Sequence, residues 1–124
     1  MLFAASAGLL WAASDTSIKA LSDKLGDGAA AVLLHPLAVV IALASLAGLV
    51  VSARSLQVGK AVPVIAVTSV AANTFTIAAG PTVFGEPMPS DPAGLAARLL
   101  AFALVIGAAA LTPAPVRAAR VEPA

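Results

Sequence analysis

The chain has 124 residues, of which 60% are hydrophobic and only 10% are charged, and it contains no cysteine. A water-soluble domain carries about 25% charged residues, because a polar surface must cover its core. This composition, with a mean hydropathy of +1.03, excludes an ordinary soluble domain and predicts a membrane protein. The lack of cysteine in the sequence excludes disulfides and thiolate metal sites, and a net charge of +1 offers no electrostatic surface for nucleic acid.

Four apolar runs are long enough to cross a bilayer as helices, which takes roughly 20 residues each. They cover residues 2–20, 29–53, 61–84 and 95–112. Inside lipid every peptide group must find a hydrogen-bond partner within its own segment, and no alternating pattern indicates a barrel. The predicted fold class is therefore all-α, a polytopic membrane helix bundle with about four transmembrane helices in residues 1–112, and the lipid bilayer is its first partner.

Polar stretches between these runs predict turns at residues 22–28, 52–60 and 86–92. The proline- and arginine-containing end, residues 113–124, predicts a disordered tail. Residues 2–13 have the length of a signal-peptide core, but no basic residue precedes Lys19, which argues against that alternative.

The basic residues give a small orientation bias. With the N-terminus inside, the cytoplasmic side would carry 4 basic residues and the outer side 3. The positive-inside rule therefore favours both termini in the cytoplasm, by one residue. The expected location is a multi-pass position in the cell membrane. The first group is Arg54, Lys60, Arg117 and Arg120, and the second is Lys19, Lys24 and Arg98.

Polar residues inside the third span form one stripe. Ser69, Asn73, Thr76 and Gly80 recur every three or four residues, which places them on one helical face. One interpretation is packing, because small and polar residues let membrane helices approach closely and bond to each other. The other is a substrate-lining surface, to which the Asn73 amide would contribute both donors and an acceptor.

The first span carries two charges. Asp15 and Lys19 lie four residues apart, so they are predicted to pair on one face, with Lys19 reaching the membrane surface. A role in binding a coupling ion or substrate is the alternative. Trp11 lies in the middle of this span, which favours packing or stacking inside the bundle.

Other residues in the first two spans have structural interpretations. His35 precedes Pro36, which predicts a kink beside a neutral imidazole bonded to a freed carbonyl. Two rows of small residues at spacings of four predict close helix packing. These rows are Ala4, Gly8 and Ala12 in the first span, and Ala44, Gly48 and Ser52 in the second.

The sequence offers few parts for catalysis. It has one histidine and no cysteine, and no pattern typical of a nucleophile with its base, of metal ligands or of a phosphate-binding loop. We therefore expect no enzyme activity, no cofactor and no metal.

At the family level, the order of segments resembles one repeat of the drug/metabolite transporter superfamily, the EamA-like proteins. The most specific parts are LQVG (56–59) and VFGE (83–86), and the likeness covers about residues 3–112. It is closest to the C-terminal repeat of longer bacterial members, which are built from two repeats of opposite topology. It is more distant from the small multidrug resistance proteins, four-helix chains that work as antiparallel dimers.

The resemblance implies structural roles for Gln57, Gly59, Gly85 and Glu86. Pro87 moves Glu86 out of helical geometry, so this carboxylate is predicted to mark the end of the third helix at the membrane surface. Aligning Ile18 and Lys19 with the small multidrug family puts Trp11 where that family has a proton-exchanging glutamate, and Asp15 lies one turn away. Proton-coupled export of cationic drugs is therefore not implied.

The expected function is transport of a small organic solute across the cytoplasmic membrane by alternating access, with Trp11, Asp15, Ser69, Asn73 and Thr76 as substrate-lining candidates. Four helices enclose little space, so the expected partner is a second copy or a missing N-terminal half. The alternative is a non-transporting accessory membrane protein, or a truncated C-terminal fragment of a longer transporter, since Met1 directly precedes an apolar helix.

Overall fold

The computed structural model describes residues 1–111, and all regular structure in that range is helical. The five α-helices are α1 (Leu2–Ser22), α2 (Ala29–Leu33), α3 (Pro36–Val58), α4 (Ala61–Val83) and α5 (Pro92–Ala110), with one 3₁₀ turn (Leu25–Asp27) between α1 and α2. The expected tail, Thr112 and the arginines at 117 and 120 lie outside the described residues. The all-α prediction is confirmed for residues 1–111.

Three of these helices, α3, α4 and α5, are long and apolar enough to cross a membrane. The first predicted span, α1, has 21 residues and is therefore long enough. Its serines, its threonine and the charged Asp15 and Lys19 lower its hydropathy. The structure thus indicates a membrane-embedded protein with three clearly apolar helices and a fourth, more polar one.

The second predicted span is broken rather than kinked. α2 ends at Leu33, and α3 begins at Pro36, where the missing N–H of proline costs nothing because the first turn of a helix leaves it unbonded. The imidazole of His35 caps α3, since its Nδ1 accepts a hydrogen bond from the Leu37 N–H at 3.2 Å. Within residues 1–111 the imidazole makes no hydrogen bond to a carbonyl, so the predicted bond to a freed carbonyl is wrong.

The turn predicted at 52–60 is mostly helix, so that prediction is wrong. α3 continues to Val58 and only Gly59 and Lys60 separate it from α4. Serine, arginine, leucine and glutamine are all tolerated in helices, and no helix breaker occurs in this stretch before Gly59.

The helices alternate in direction around α1. Ser14 contacts Ser45, and Trp11 contacts Ser52, so α1 and α3 are antiparallel. Thr68 contacts Ala4, and Lys19 contacts Glu86, so α1 and α4 run parallel. α1 packs along both α3 and α4, which contact each other much less, and α5 packs on α4. The start of α1, the α3–α4 corner and the end of α5 therefore share one end of the bundle.

The core of the bundle is made of small side chains. Ala4, Ala7 and Ala12 of α1 are at most 1% exposed, and Gly8 is also buried. On the outside, large apolar side chains such as Leu46 and Val50 of α3 are more than half exposed. The two predicted small-residue rows are confirmed as packing faces within the chain: Gly8 lies against α4, and Gly48 lies against the Trp11 ring.

Candidate functional site

Polar side chains gather at two places in the bundle. The first is a groove between α3 and α4, which we call the polar groove. The second is a charge cluster at the opposite end, formed by Lys19, Glu86 and Arg98. The polar groove has a volume of about 140 Å³ and is lined by Ser52, Ser55, Leu56, Val64, Ile65, Thr68 and Ser69.

The α3–α4 corner brings the two walls of the polar groove together. Ser52, Ser55 and Leu56 share one face of α3, because they are spaced by three and four residues. The corner at Gly59 and Lys60 then reverses the chain and sets these residues opposite 64–69 of α4. Gly59 has little free space, since a Cβ there would lie 2.6 Å from Val64 Cγ2 and 3.0 Å from the Ser55 carbonyl oxygen.

Most hydroxyls of the polar groove are already hydrogen-bonded. Ser55 donates to the Ser52 carbonyl at 2.8 Å, and Thr68 donates to the Ala4 carbonyl of α1 at 3.1 Å. The Ser52 hydroxyl accepts a bond from Trp11 Nε1 at 3.0 Å. The Ser69 hydroxyl has no hydrogen-bond partner within residues 1–111 and is half-buried.

Among the sequence-predicted candidates, Trp11 and Ser69 belong to the polar groove, Trp11 through its bond to Ser52. Asn73 lies one turn from Ser69, but its Nδ2 donates to the Ser69 carbonyl of the same helix at 2.9 Å. Thr76 is exposed and donates to the Ala72 carbonyl, also within α4. The described part of the chain therefore shows neither side chain bonded to another helix.

Asp15 stands apart from these residues. It is exposed, and its carboxylate has no hydrogen bond or ion pair with any residue in 1–111. The predicted pair between Asp15 and Lys19 is wrong, because the Lys19 ammonium reaches across to Glu86 instead. Trp11, Asp15 and Lys19 are spaced by four residues and therefore share one face of α1. On this face Trp11 contacts α3, and Lys19 contacts the loop between α4 and α5.

Three hydroxyl-bearing residues that line the polar groove were not predicted as site residues: Ser52, Ser55 and Thr68. Their signal in the sequence is a set of hydroxyls on both sides of the Gly59–Lys60 pair, at helical spacing. That signal is useful only once the corner is known to be two residues long, and the predicted nine-residue turn concealed it.

The end of α4 determines the position of Glu86. Pro81 inside the helix lacks an N–H, and the last turns widen, so that Phe84 N–H bonds to the Ala79 carbonyl and Glu86 N–H bonds to the Gly80 carbonyl, both at 3.1 Å. Gly85 has φ +60°, which a glycine adopts without strain. Gly80 leaves room for the returning carboxylate, because a Cβ there would lie 2.6 Å from Glu86 Oε2.

Glu86 links two helices through the charge cluster. Its Oε1 pairs with the Lys19 ammonium of α1, and its Oε2 lies 3.4 Å from Arg98 Nη2 of α5. Arg98 also donates to the Pro87 carbonyl at 2.9 Å. The Lys19 ammonium lies 4.5 Å from the centroid of the Phe84 ring, within the range of a cation–π contact.

Electrostatics at this end favours the ionised carboxylate. The hydrogen bond from Lys19, together with the positive charges of Lys19 and Arg98, lowers the pKa of Glu86 below its ordinary value, and partial desolvation opposes them. Glu86 is thus placed where the sequence predicted, just after the α4 helix, but it connects α1 to α5 and is not merely solvated.

Of the other residues with expected structural roles, Gln57 accepts a hydrogen bond from Arg54 Nη1 at 3.3 Å near the end of α3. Within residues 1–111, no group of three or more His, Asp and Glu side chains could hold a metal ion.

The hydroxyls and apolar side chains of the polar groove can contribute hydrogen bonds and apolar contacts, and the charge cluster contributes ion pairs.

Comparisons with protein-family models, with curated proteins and with solved structures find no match for this chain. The resemblance to the drug/metabolite transporters therefore stays a prediction from the sequence.

Proposed function

We propose that this chain is a transporter or half-transporter of the drug/metabolite type, which moves a small organic solute across the cytoplasmic membrane by alternating access. One observation carries the proposal: side-chain hydrogen bonds join α1 to α3 and to α4, whereas large apolar side chains are exposed on the outside of the bundle. Such an arrangement, polar within and apolar outside, is what a solute path through lipid requires.

The inward contacts of α1 support a fourth transmembrane span. Trp11 and Ser14 bond to serines of α3, at 3.0 and 2.8 Å. Thr16 and Ser17 bond to carbonyls of their own helix, which removes much of the cost of placing hydroxyls in lipid. With α1 included, the alternating helix directions give four spans, with the α3–α4 corner on the cytoplasmic side under the weak positive-inside bias.

A second unit completes the proposed transporter. The polar groove is open at the surface of one chain, and transporter sites often form between two inverted repeats. The small-residue rows are occupied inside the chain, so they cannot serve as the contact with a second unit. α5 is the better candidate, because none of its residues is buried and a Cβ at Gly107 would meet nothing within 4 Å.

The test is the accessibility of single cysteines in the full-length chain in native membranes. The sequence has no cysteine, so the chain itself gives no background labelling. Ser69 and Asp15 are replaced singly by cysteine and exposed to a membrane-impermeant maleimide in right-side-out and inverted vesicles. Alternating access predicts labelling from both sides. Leu46→Cys is the control: this side chain is 62% exposed on the outer face of α3, and we expect it to label from neither side.

Insertion in two orientations would also give labelling from both sides, so a cysteine at Ala124 measures the fraction of each orientation. If each chain were open to one side only, the fraction labelled at Ser69 from a given side could not exceed the fraction of chains in the corresponding orientation. Alternating access predicts that the labelled fraction exceeds this limit from each side. Labelling at Ser69 and Asp15 from one side only, or from neither, would rule the proposal out.

The second candidate is a non-transporting accessory membrane protein. The observation that favours it is that Asn73 and Thr76, the most polar side chains in the middle of α4, bond to their own helix. This candidate predicts one-sided labelling at both cysteines and a stable complex with another membrane protein.

A further inference from the structure

We infer that the polar groove binds a small uncharged solute, about the size of one six-membered ring, that carries a single hydroxyl or carbonyl group. This inference rests on the proposed function, because it names the class of solute that the site would take. Binding, however, is measured separately from transport.

The size of the solute follows from the volume of the groove. Its volume of about 140 Å³ is close to that of an engineered protein cavity of about 150 Å³ that binds benzene. A ring of six heavy atoms with one substituent therefore fills it, and a two-ring compound would project from its open side.

The charge of the solute follows from the lining. Leu56, Val64 and Ile65 are apolar, and the remaining four lining residues carry only hydroxyls. A charged ligand would lose its hydration without gaining a partner of opposite charge, which is expensive. Arg54, which lies between Ser52 and Ser55 in α3, bonds to Gln57 and does not line the groove.

The number of hydrogen bonds follows from which hydroxyls are still available. Ser55 and Thr68 already donate to backbone carbonyls. The Ser52 hydroxyl accepts from Trp11, and its own hydrogen has no acceptor in residues 1–111; the Ser69 hydroxyl has no partner there. One ligand oxygen can therefore accept from Ser52 and exchange a bond with Ser69, while the rest of the ligand meets the apolar wall.

The groove also contains its own reporter. Trp11 is the only tryptophan in the chain, and its indole N–H bonds to the Ser52 hydroxyl that lines the groove. A ligand that bonds to Ser52 changes the environment of the indole, so binding is expected to shift the fluorescence of Trp11.

The experiment uses the purified full-length chain in nanodiscs of defined phospholipid. Cyclohexanol, which does not absorb where tryptophan is excited, is titrated against Trp11 fluorescence, with cyclohexanecarboxylate and cyclohexylammonium as charged analogues of the same shape. We expect a saturable shift with cyclohexanol and no saturable shift with either charged analogue.

Two variants and one control link the signal to the groove. Ser69→Ala removes one hydrogen bond and should weaken binding about three- to tenfold, and Ile65→Phe should weaken it further by narrowing the groove. Thr82→Val is the control, because the Thr82 hydroxyl bonds to the Ala78 carbonyl of its own helix, outside the groove.

A fluorescence change that rises linearly and is equal in all variants would mean that the alcohol only partitions into lipid, and would overturn the inference. Equal binding of the charged analogues would overturn it as well. Saturable binding combined with one-sided cysteine labelling would leave this site standing and reject the transporter, whereas two-sided labelling without binding would reject the solute class alone.

Discussion

Thr68 and Asn73 of α4 make two different kinds of polar contact, one with another helix and one within α4. The Thr68 hydroxyl bonds to α1 at 3.1 Å, whereas the Asn73 amide bonds to its own helix at 2.9 Å. Hydrogen bonds between membrane helices contribute about 0.6 kcal/mol on average. Of these two bonds, only the one from Thr68 joins two helices, so its loss should loosen the bundle and the loss of the Asn73 bond should not.

We therefore expect Thr68→Val to lower the midpoint of thermal unfolding, and Asn73→Leu to leave unfolding and membrane abundance near normal. If Asn73 lines a solute path, transport by Asn73→Leu falls while its abundance stays unchanged. Quantitative immunoblots of membranes, with unfolding curves in detergent, measure both. A loss of abundance in Asn73→Leu equal to that in Thr68→Val would show that Asn73 is a packing residue.

The pH dependence of stability should report on Glu86. Its pKa is lowered in the folded chain, chiefly by the hydrogen bond from Lys19, so the unfolded state binds more protons. The stabilisation is complete above the ordinary carboxyl pKa of about 4.3 and is lost as pH falls through the lower folded value. Unfolding midpoints measured between about pH 7 and pH 3 should fall more steeply in the wild type than in Glu86→Gln.

Asp23→Asn is the matched control for this measurement. It removes the same charge from the same end of the bundle, where Asp23 makes no ion pair with any residue in 1–111. Its pH profile should follow that of the wild type. Identical profiles for the wild type and Glu86→Gln would mean that the charge cluster does not stabilise the fold.

At the scale of helices, the contact between α1 and α4 depends on Gly8. A Cβ at this position would lie 2.8 Å from the Ala71 Cβ and would also meet the Thr68 carbonyl oxygen. Gly8→Ala should therefore force the two helices apart, at a cost of about 1–3 kcal/mol. Gly107→Ala makes the same change on α5, where nothing in the described part of the same chain lies within 4 Å, and should be neutral or slightly stabilising for the fold of the single chain.

Unfolding in a titration with denaturing detergent compares these two variants. If Gly8→Ala is as stable as Gly107→Ala, the close approach of α1 and α4 is not maintained in the membrane, and the packing described for α1 would need revision.

How far each helix could be predicted depended on how local its determinants are. The apolar runs identified α3, α4 and α5, because hydropathy is a property of each segment alone. The partner of Lys19 could not be predicted in the same way, since Glu86 lies 67 residues away and only the parallel packing of α1 and α4 brings the two together. The polar groove was only partly predicted. Its walls meet at the two-residue corner Gly59–Lys60, and the polar residues before this corner led to the prediction of a turn over residues 52–60.

For the whole molecule, four spans would place both termini on one side of the membrane. Reporter fusions after Gly26, Lys60 and Ser90 and at the C-terminus should therefore alternate in location. The fusion after Gly26 tests α1 most directly, because α1 is the helix whose hydropathy alone does not indicate a span. Two neighbouring fusions on the same side would contradict the four-span topology, and a fusion after Gly26 on the same side as the N-terminus would leave only three spans.

The polar character of α1 also has a consequence for biogenesis. α1 precedes α3 and α4 in the chain, so it meets the insertion machinery before the helices that bond to its serines and its indole have been made. A single aspartate near the centre of a helix adds about 3 kcal/mol to the apparent free energy of insertion. We expect α1 to remain at the translocon or at the membrane surface until α3 and α4 emerge, so its membrane integration would be completed after synthesis of the chain has passed residue 83.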